Sequence, residues 1–505
     1  MAKAAVTRIN EAVDNDSQVL ASFGLCRDGN GLICWTTDSH DHPRKWNART
    51  KIYTISLIIL LELFTTVIST TGAAVAHEAG PSYGLGEMQA LVAFVSMYQF
   101  GQAVGGYLIP PVSELAGRWW PYFLSTMVFS AFCLVIPLGN HVAAVYAGRF
   151  ATGLASAVPS VVIAGSIEDL FNSRERVWAV ICWNSMTTIA LCLGPIYAAH
   201  IIPSAGWQWV YYSASICTLV MSLALLLMKE SRPSVILGRK IRVLRKTTTL
   251  ADLRWTNADL AQDWRAWGRL VLVRPMHILM TEPLVMLVAI TSGLSWSVVY
   301  LFTESVVRVY SSMGLGDSES SLAFLSLAAG VLVTLAPRFA DTRRIESLQA
   351  AGKHIEPEDK MQGFAYAAPA LTGGLVWFAW SVPPAAVGVH WVVPTLSLVP
   401  IGYAVNETAH ALSGFLADSY VLYSASVFSG LALARAVISG VMPLVAHELY
   451  VRLDANQAGS VIAALSLVFA AAAVVFLRCS KALRRRSPFA TYSIAMHEAT
   501  QVELD

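Results

Sequence analysis

Thirty-one of the 35 lysines and arginines in this chain fall in every second gap between long apolar runs. That alternation suits a chain that crosses a bilayer many times, because loops rich in lysine and arginine stay on the cytosolic side. Twelve runs separate the gaps, near residues 53–74, 88–109, 120–138, 142–165, 177–201, 208–228, 278–301, 319–337, 363–384, 390–411, 421–445 and 457–477, as spans 1 to 12. Each is close to the roughly 20 residues needed to cross a hydrocarbon core about 30 Å thick. The basic gaps hold Lys3, Arg8, Arg27, Arg44, Lys45, Arg49, Lys51, Arg118, Arg174 and Arg176, eleven bases from Lys229 to Arg274, five from Arg338 to Lys360 and five from Arg478 to Arg486. The alternate gaps hold only Arg308 and Arg452, and Arg149 and Arg435 lie inside spans. Both termini are therefore predicted to be cytosolic, which requires an even number of spans. A single miscounted span would swap the bias midway along the chain.

Composition agrees, since 55% apolar and 13% charged residues leave too little polar surface to cover a soluble globule of 505 residues. The net charge of +2 says little, because sign is segregated by side. The first 50 residues are polar and lack the apolar core of a cleavable signal peptide, so span 1 is expected to serve as the insertion signal. Cys26, Cys34, Cys133, Cys182, Cys192, Cys217 and Cys479 all fall in spans or on the predicted cytosolic side, which implies no disulfide framework, and no CxxC pair suggests zinc. No GxxxxGK[ST] phosphate cradle is present, which argues against ATP hydrolysis in this chain. Only His40 and His42 of the eleven histidines are close in sequence, and both precede span 1, which disfavours a membrane metalloenzyme. A secondary transporter is the leading class: not an enzyme, without metal or cofactor beyond a proton gradient. Its expected partners are the lipid bilayer, a small-molecule substrate and protons, with no nucleic acid, and a monomer is expected.

The expected organisation is a cytosolic tail (1–51), a six-helix half (52–228), a cytosolic central loop (229–277), a second six-helix half (278–478) and a cytosolic tail (479–505). The halves echo one another. Pro111-Val112-Ser113-Glu114-Leu115-Ala116-Gly117-Arg118 follows span 2, and Pro337-Arg338-Phe339-Ala340-Asp341-Thr342-Arg343-Arg344 follows span 8. Glu168-Asp169 after span 4 is matched by Asp418 after span 10. Parallel six-span halves with a site at their interface describe the all-α architecture of major facilitator transporters.

Charges inside spans mark where the chemistry belongs, because each costs at least about 2.5 to 3.5 kcal/mol at mid-bilayer. Glu62, Arg149, Glu407 and Arg435 are the four. Burial near the middle of span 1 disfavours an ionised Glu62, so it can bind and release a proton under physiological gradients; the alternative is a capping or snorkelling acid. Arg149 cannot lose its proton and needs an acid or several backbone carbonyls. Were Glu62 that acid, its protonation would break the pair and free two helices to shift. Glu407 either faces a central cavity or bridges to Arg435. Gln99, Gln102, Trp183, Asn184, Trp296 and Tyr300 are further candidates for the cavity wall, and Glu304 at the end of span 7 is expected to meet solvent or the cavity mouth. Glu114, Arg118, Asp169, Asp341 and Arg343 are candidates for a cytosolic gate that clamps helix ends together, or else are ordinary solvated charges.

At these residues the chain resembles a family. Gly105-Gly106, Pro110-Pro111-Val112-Ser113-Glu114 and Gly117-Arg118, then Arg149-Phe150 with Gly153, Gly194-Pro195, and Glu230-Ser231-Arg232-Pro233-Ser234-Val235-Ile236-Leu237 look like the fungal twelve-span drug:proton antiporters of the major facilitator superfamily, in their polyamine/proton branch. His42-Pro43-Arg44-Lys45-Trp46, Phe302-Thr303-Glu304-Ser305, Ala417-Asp418-Ser419-Tyr420 and Arg486-Ser487-Pro488-Phe489-Ala490 extend the likeness over roughly residues 41 to 490. The resemblance implies proton-coupled export across the plasma membrane, by a family that includes exporters of toxins and secondary metabolites beside polyamine and drug pumps. Proton-coupled nutrient uptake is the alternative on the same fold. The chain departs from the pattern where Trp119 replaces a second basic residue after Arg118 and where Gln208 stands between Trp207 and Trp209. In span 5 the family's GxxxGPxxGG keeps only Gly194-Pro195, with Ala190, Ala198 and Ala199 at the other positions. That motif is associated with antiport.

Overall fold

The computed structural model describes residues 18–27, 32–36, 39–247, 268–352, 357–420 and 423–493. Apart from one short hairpin, the described residues are helical or connecting. Among them nine helices are long and apolar enough to cross a membrane. Predicted spans 2, 9 and 10 fall on helices too, Met97–Ala116, Gln362–Trp380 and Val392–Ser419, but these stay below that mark. Spans 2 and 10 carry the polar side chains Gln99, Gln102, Asn406, Glu407 and His410, which lower their apolarity.

Helices carry the numbers of the spans they occupy. Helix 1 (Ala48–Thr70, continued by Gly72–Ala79) packs on helix 5 (Ser173–Ala205), and helix 2 (Met97–Ala116) on helix 4 (Val142–Ala157). Helix 3 (Trp119–Leu138) packs on helices 4 and 6 (Gln208–Leu225). The second bundle repeats this plan: helix 7 (Pro283–Ser311) on helix 11 (Ser424–Arg452), helix 8 (Phe324–Val333 and Leu335–Ala350) on helix 10 (Val392–Ser419), and helix 9 (Gln362–Trp380) on helices 10 and 12 (Ala455–Arg486). Helix 2 against helix 11 and helix 5 against helix 8 join the two bundles.

Small residues make the repeat visible at atomic scale. A Cβ on Gly101 would lie 2.0 Å from the Phe150 carbonyl oxygen, and one on Gly153 1.9 Å from that of Tyr98, so helices 2 and 4 touch backbone to backbone. In the other bundle a Cβ on Gly330 would lie 2.2 Å from the Val399 oxygen and one on Gly402 1.9 Å from that of Leu327, where helices 8 and 10 cross. Close approach at glycine is how helices bury surface in lipid, where the hydrophobic effect does not drive them together. Helices 3, 6, 9 and 12 lie outermost and present Leu138, Leu223, Leu227, Trp380 and Val468 outward, an apolar surface that suits acyl chains.

At one end the basic segments gather. Strands Leu25–Arg27 and Ile33–Trp35 pair antiparallel, with Cys26 opposite Cys34 and their sulfurs 3.0 Å apart without a disulfide. Leu20, Leu25 and Ile33 pack on Leu237, Ile241 and Leu244, one face of the helix Pro233–Thr247. That helix lies within the predicted central loop; residues 248–267 of the same loop lie outside the described residues. Lys240 pairs with Asp41 at 2.5 Å, and Arg484 with Glu358 at 3.0 Å, so tail, central helix and C-terminal helix share this basic end.

Candidate functional site

Where the bundles meet, helices 1, 2, 7 and 11 each contribute polar side chains. Glu62 is 2% exposed; its Oε1 accepts from Thr66 Oγ1 at 3.3 Å, Ser160 of the helix 4 region lies beside it, and Oε2 has no donor. The cation whose charge acts on it is Arg435 of helix 11, although the two form no direct ion pair among the described residues. The Arg435 guanidinium lies over the Trp296 ring, 4.3 Å from its centroid. Tyr300 is one turn further along helix 7 and so on the same face; its hydroxyl is 2.9 Å from Ser69 Oγ, with Gln99 of helix 2 beside it.

Arg149 is elsewhere. It is fully buried, its Nε donates to the Phe94 carbonyl at 2.6 Å, and its guanidinium packs over the rings of Tyr98 (4.7 Å) and Tyr211 (5.7 Å). The sequence called for an acid or several backbone carbonyls; a single carbonyl accepts, Nη1 and Nη2 have no hydrogen-bond partner, and among the described residues no Glu62–Arg149 pair forms. A Cβ on Gly72 would meet both the Phe94 oxygen and Arg149 Nη2, so the guanidinium occupies space that only glycine leaves.

At the basic end each bundle buries its own charge cluster. Arg118 donates from Nε to Asp169 at 2.9 Å and from Nη1 to Ser113 at 2.8 Å, while Arg232 donates to the other Asp169 oxygen at 3.1 Å. Glu230 accepts the backbone N–H groups of Arg118, Trp119 and Arg232. Of the gate candidates, Arg118 and Asp169 are thus brought together, just past the end of helix 2 at Ala116. In the second bundle Arg338 bonds Glu407 and lies 3.1 Å from Asp341. Neither expectation for Glu407 holds in this geometry: it neither bridges to Arg435 nor stands open to the central group, because Arg338 reaches it from helix 8. Asp418, the echo of Asp169, pairs with Lys360 at 2.5 Å, and Arg343 is exposed.

The opposite end corrects another expectation. Glu304 does not meet solvent but is 4% exposed, bonded to His77 Nε2 (3.1 Å), His447 Nδ1 (3.3 Å) and Arg308 (3.2 Å). Helix 7 continues to Ser311, about ten residues past the end of its apolar run, so Glu304 sits inside the helix. His447 turns its other ring nitrogen to Glu87, 3.5 Å away. His77 and Glu87 belong to the first bundle, Glu304 and His447 to the second.

Residues 54–431 match the sequence model of the Major Facilitator Superfamily. The chain belongs to that superfamily. Relatives include the MFS transporter prlG from Fungal sp., 26% identical over 89% of this chain and 95% of its own length. The efflux pump FUBT of Fusarium oxysporum is 26% identical over 84% of this chain and 72% of its own. The multidrug transporter FLU1 of Candida albicans is 24% identical over 90% and 75%. This facilitator is therefore a multi-pass membrane transporter of small molecules and not an enzyme.

The remaining wall candidates of this facilitator divide. Gln99 and Tyr300 join the central group, and Trp296 floors it. Trp183 packs among Ile55, Leu57 and Tyr122 with its indole N–H unpaired, Asn184 donates to its own helix at Val180, and Gln102 is half-buried. Thr188, Asn406 and Thr334 form a hydrogen-bonded chain from helix 5 through helix 10 to helix 8, which the sequence did not suggest. Arg338, His77 and His447 were also missed as site residues; only the first carried a signal, as the base in the loop echo after span 8.

Proposed function

We propose that this chain exports a small amphipathic molecule, a fungal secondary metabolite, toxin or drug, in exchange for protons, with Glu62 as the proton carrier. The observation that carries the reading is a buried carboxylate with one unused oxygen at the meeting of the bundles, under the influence of Arg435. Gain and loss of its proton changes the charge felt by a helix of the other bundle, and that change biases the two arrangements of a facilitator. Relatives named as efflux pumps and as a multidrug transporter support the direction. The basic end is cytosolic in this reading, twelve helices cross the plasma membrane, and the chain works as a monomer. Polyamine export loses ground, because Glu407 is engaged by Arg338 and the cation Arg435 stands at the centre.

Inside-out vesicles with an imposed pH gradient test the proposal on a panel of fungal metabolites, drugs and polyamines. Gradient-driven accumulation by wild type that is lost in Glu62→Gln is expected. Accumulation that survives Glu62→Gln would move the proton site elsewhere, and uptake by whole cells without accumulation in inside-out vesicles would reverse the direction.

A further inference from the structure

The central group holds more hydrogen-bond donors than the protein uses. Gln99 is 1% exposed and its Nε2 has no acceptor; Trp296 is 7% exposed and its indole N–H has none. Arg435 rests on Trp296 with no direct ion pair or hydrogen bond among the described residues. Facing these donors is one free acceptor, Oε2 of Glu62. Each buried unpaired polar group costs about 1–3 kcal/mol, so the three here, Gln99 Nε2, Trp296 Nε1 and Glu62 Oε2, beside the Arg435 guanidinium, call for a partner that supplies the missing bonds. The demand is asymmetric: several donors want an acceptor, and one carboxylate oxygen wants a donor.

Charge narrows the partner further. With Glu62 ionised, the group carries one positive and one negative charge that act on each other through space. With one charge of each sign already present, a cation or an anion would leave the buried group with a net charge, whereas an uncharged molecule leaves the two charges balanced. The other titratable groups acting around Glu62 are Tyr98 of helix 2, Tyr122 of helix 3 and Tyr300 of helix 7, none of which changes charge near neutral pH.

We propose that this site binds an uncharged organic molecule that presents a carbonyl-type acceptor to Arg435 and Gln99 and a hydroxyl or N–H donor to Glu62. Arg435 is then the residue that determines charge selectivity. The inference rests on the transport reading above and supplies its coupling: a proton on Glu62 removes the negative charge that makes it a strong acceptor for the substrate's donor. Proton and substrate therefore disfavour one another at one carboxylate. No bond is made or broken in the substrate.

The test is equilibrium binding to the full-length purified protein in nanodiscs, with four probes on one ring system. They are 2-(hydroxymethyl)anthraquinone, its methyl ether, 2-(aminomethyl)anthraquinone and anthraquinone-2-carboxylate, read by quenching of tryptophan fluorescence. The hydroxymethyl compound is expected to bind at least about tenfold more tightly than each of the other three. Its affinity should fall as pH is lowered, by at most about tenfold per pH unit because one proton competes, and should be independent of pH in Glu62→Gln. Arg435→Gln should weaken it about tenfold or more while strengthening the amine, so that the order of the two inverts. Arg435→Lys should keep the rejection of the amine, and a thermal melt of each variant separates loss of the site from loss of the fold. The proposal is overturned if wild type fails to bind the hydroxymethyl compound, if it prefers the amine or carboxylate, or if Arg435→Gln leaves the order of neutral and cationic probes unchanged. Binding without a gradient is independent of transport direction, so failure of the vesicle experiment and failure of this one are distinguishable.

Discussion

Replacing Glu304 by Gln should loosen the end of the molecule opposite the basic face. In the structure Glu304 is the hub there, but its three bonds differ in what they join. Arg308 lies one turn along the same helix and His447 on helix 11 of the same bundle, so neither bond opposes separation of the bundles. The bond to His77 of helix 1 does. A hydrogen bond to a charged group contributes about 1.5–3 kcal/mol, and the half-exposed His77 side chain reduces this to about 1–2 kcal/mol. Losing that much shifts the closed-to-open ratio of this end by about 5- to 30-fold. Spin labels at Ser82 and Ser312, exposed positions at the ends of helices 1 and 7, report the separation by pulsed electron resonance on a cysteine-free background. Glu304→Gln and His77→Gln should each enrich the longer distance, and their combination should add little to either alone. Arg308→Gln should leave the distance distribution unchanged. If Arg308→Gln opens this end as much as Glu304→Gln does, or His77→Gln has no effect, the bond across the bundles is not what holds it.

Several substitutions test the packing. Gly153→Ala and Gly402→Ala would each drive a methyl group into a backbone oxygen of the neighbouring helix, costing about 1–3 kcal/mol or more, and should lower the melting temperature of the purified protein. Gly373→Ala, with nothing near its Cβ, should be neutral or stabilising in the same assay. Asp169→Asn strips the carboxylate shared by Arg118 and Arg232 and should cost about 3–5 kcal/mol, whereas Asp418→Asn at its half-buried counterpart, paired with one lysine, should cost about 1 kcal/mol, compared by thermal unfolding. Arg149→Lys should lower stability by about 2 kcal/mol, because a single ammonium cannot donate to the Phe94 carbonyl while lying flat between two tyrosine rings.

Where the spans lie was legible because apolar length and basic loops answer to the bilayer, which is outside the chain. The contact of helices 2 and 4 was legible in part, since Gly101 and Gly105 are four apart and share one face. The partner of each charge was not. Glu407 and Arg435 lie on consecutive helices and made a plausible pair, yet helix 10 packs on helix 8 and helix 11 on helix 7, so the two residues face different neighbours. The end of helix 7 was misread for a related reason: Glu304 and Arg308 end the apolar run, but a helix carries charge onward when other helices supply partners. Hydropathy registers the charge and not the histidine that meets it.

The buried charges of this facilitator separate by whether their partners move with them. Arg118 with Asp169, and Arg338 with Glu407, each join helices of one bundle, so rocking one bundle against the other leaves them intact. Their burial tightens the helix ends at the basic face. Glu62 with Arg435, Glu304 with His77, and His447 with Glu87 cross from one bundle to the other. Any motion that opens one end must change such relationships, and any change of charge in them must bias that motion. They also sit at different depths, Glu62 at the centre and Glu304 and His447 at the end away from the basic face. If Glu62 is the proton carrier proposed above, a proton arriving from that end meets the contacts of Glu304 before it meets Glu62, and a variant that breaks those contacts should then alter access to Glu62 without altering what Glu62 binds.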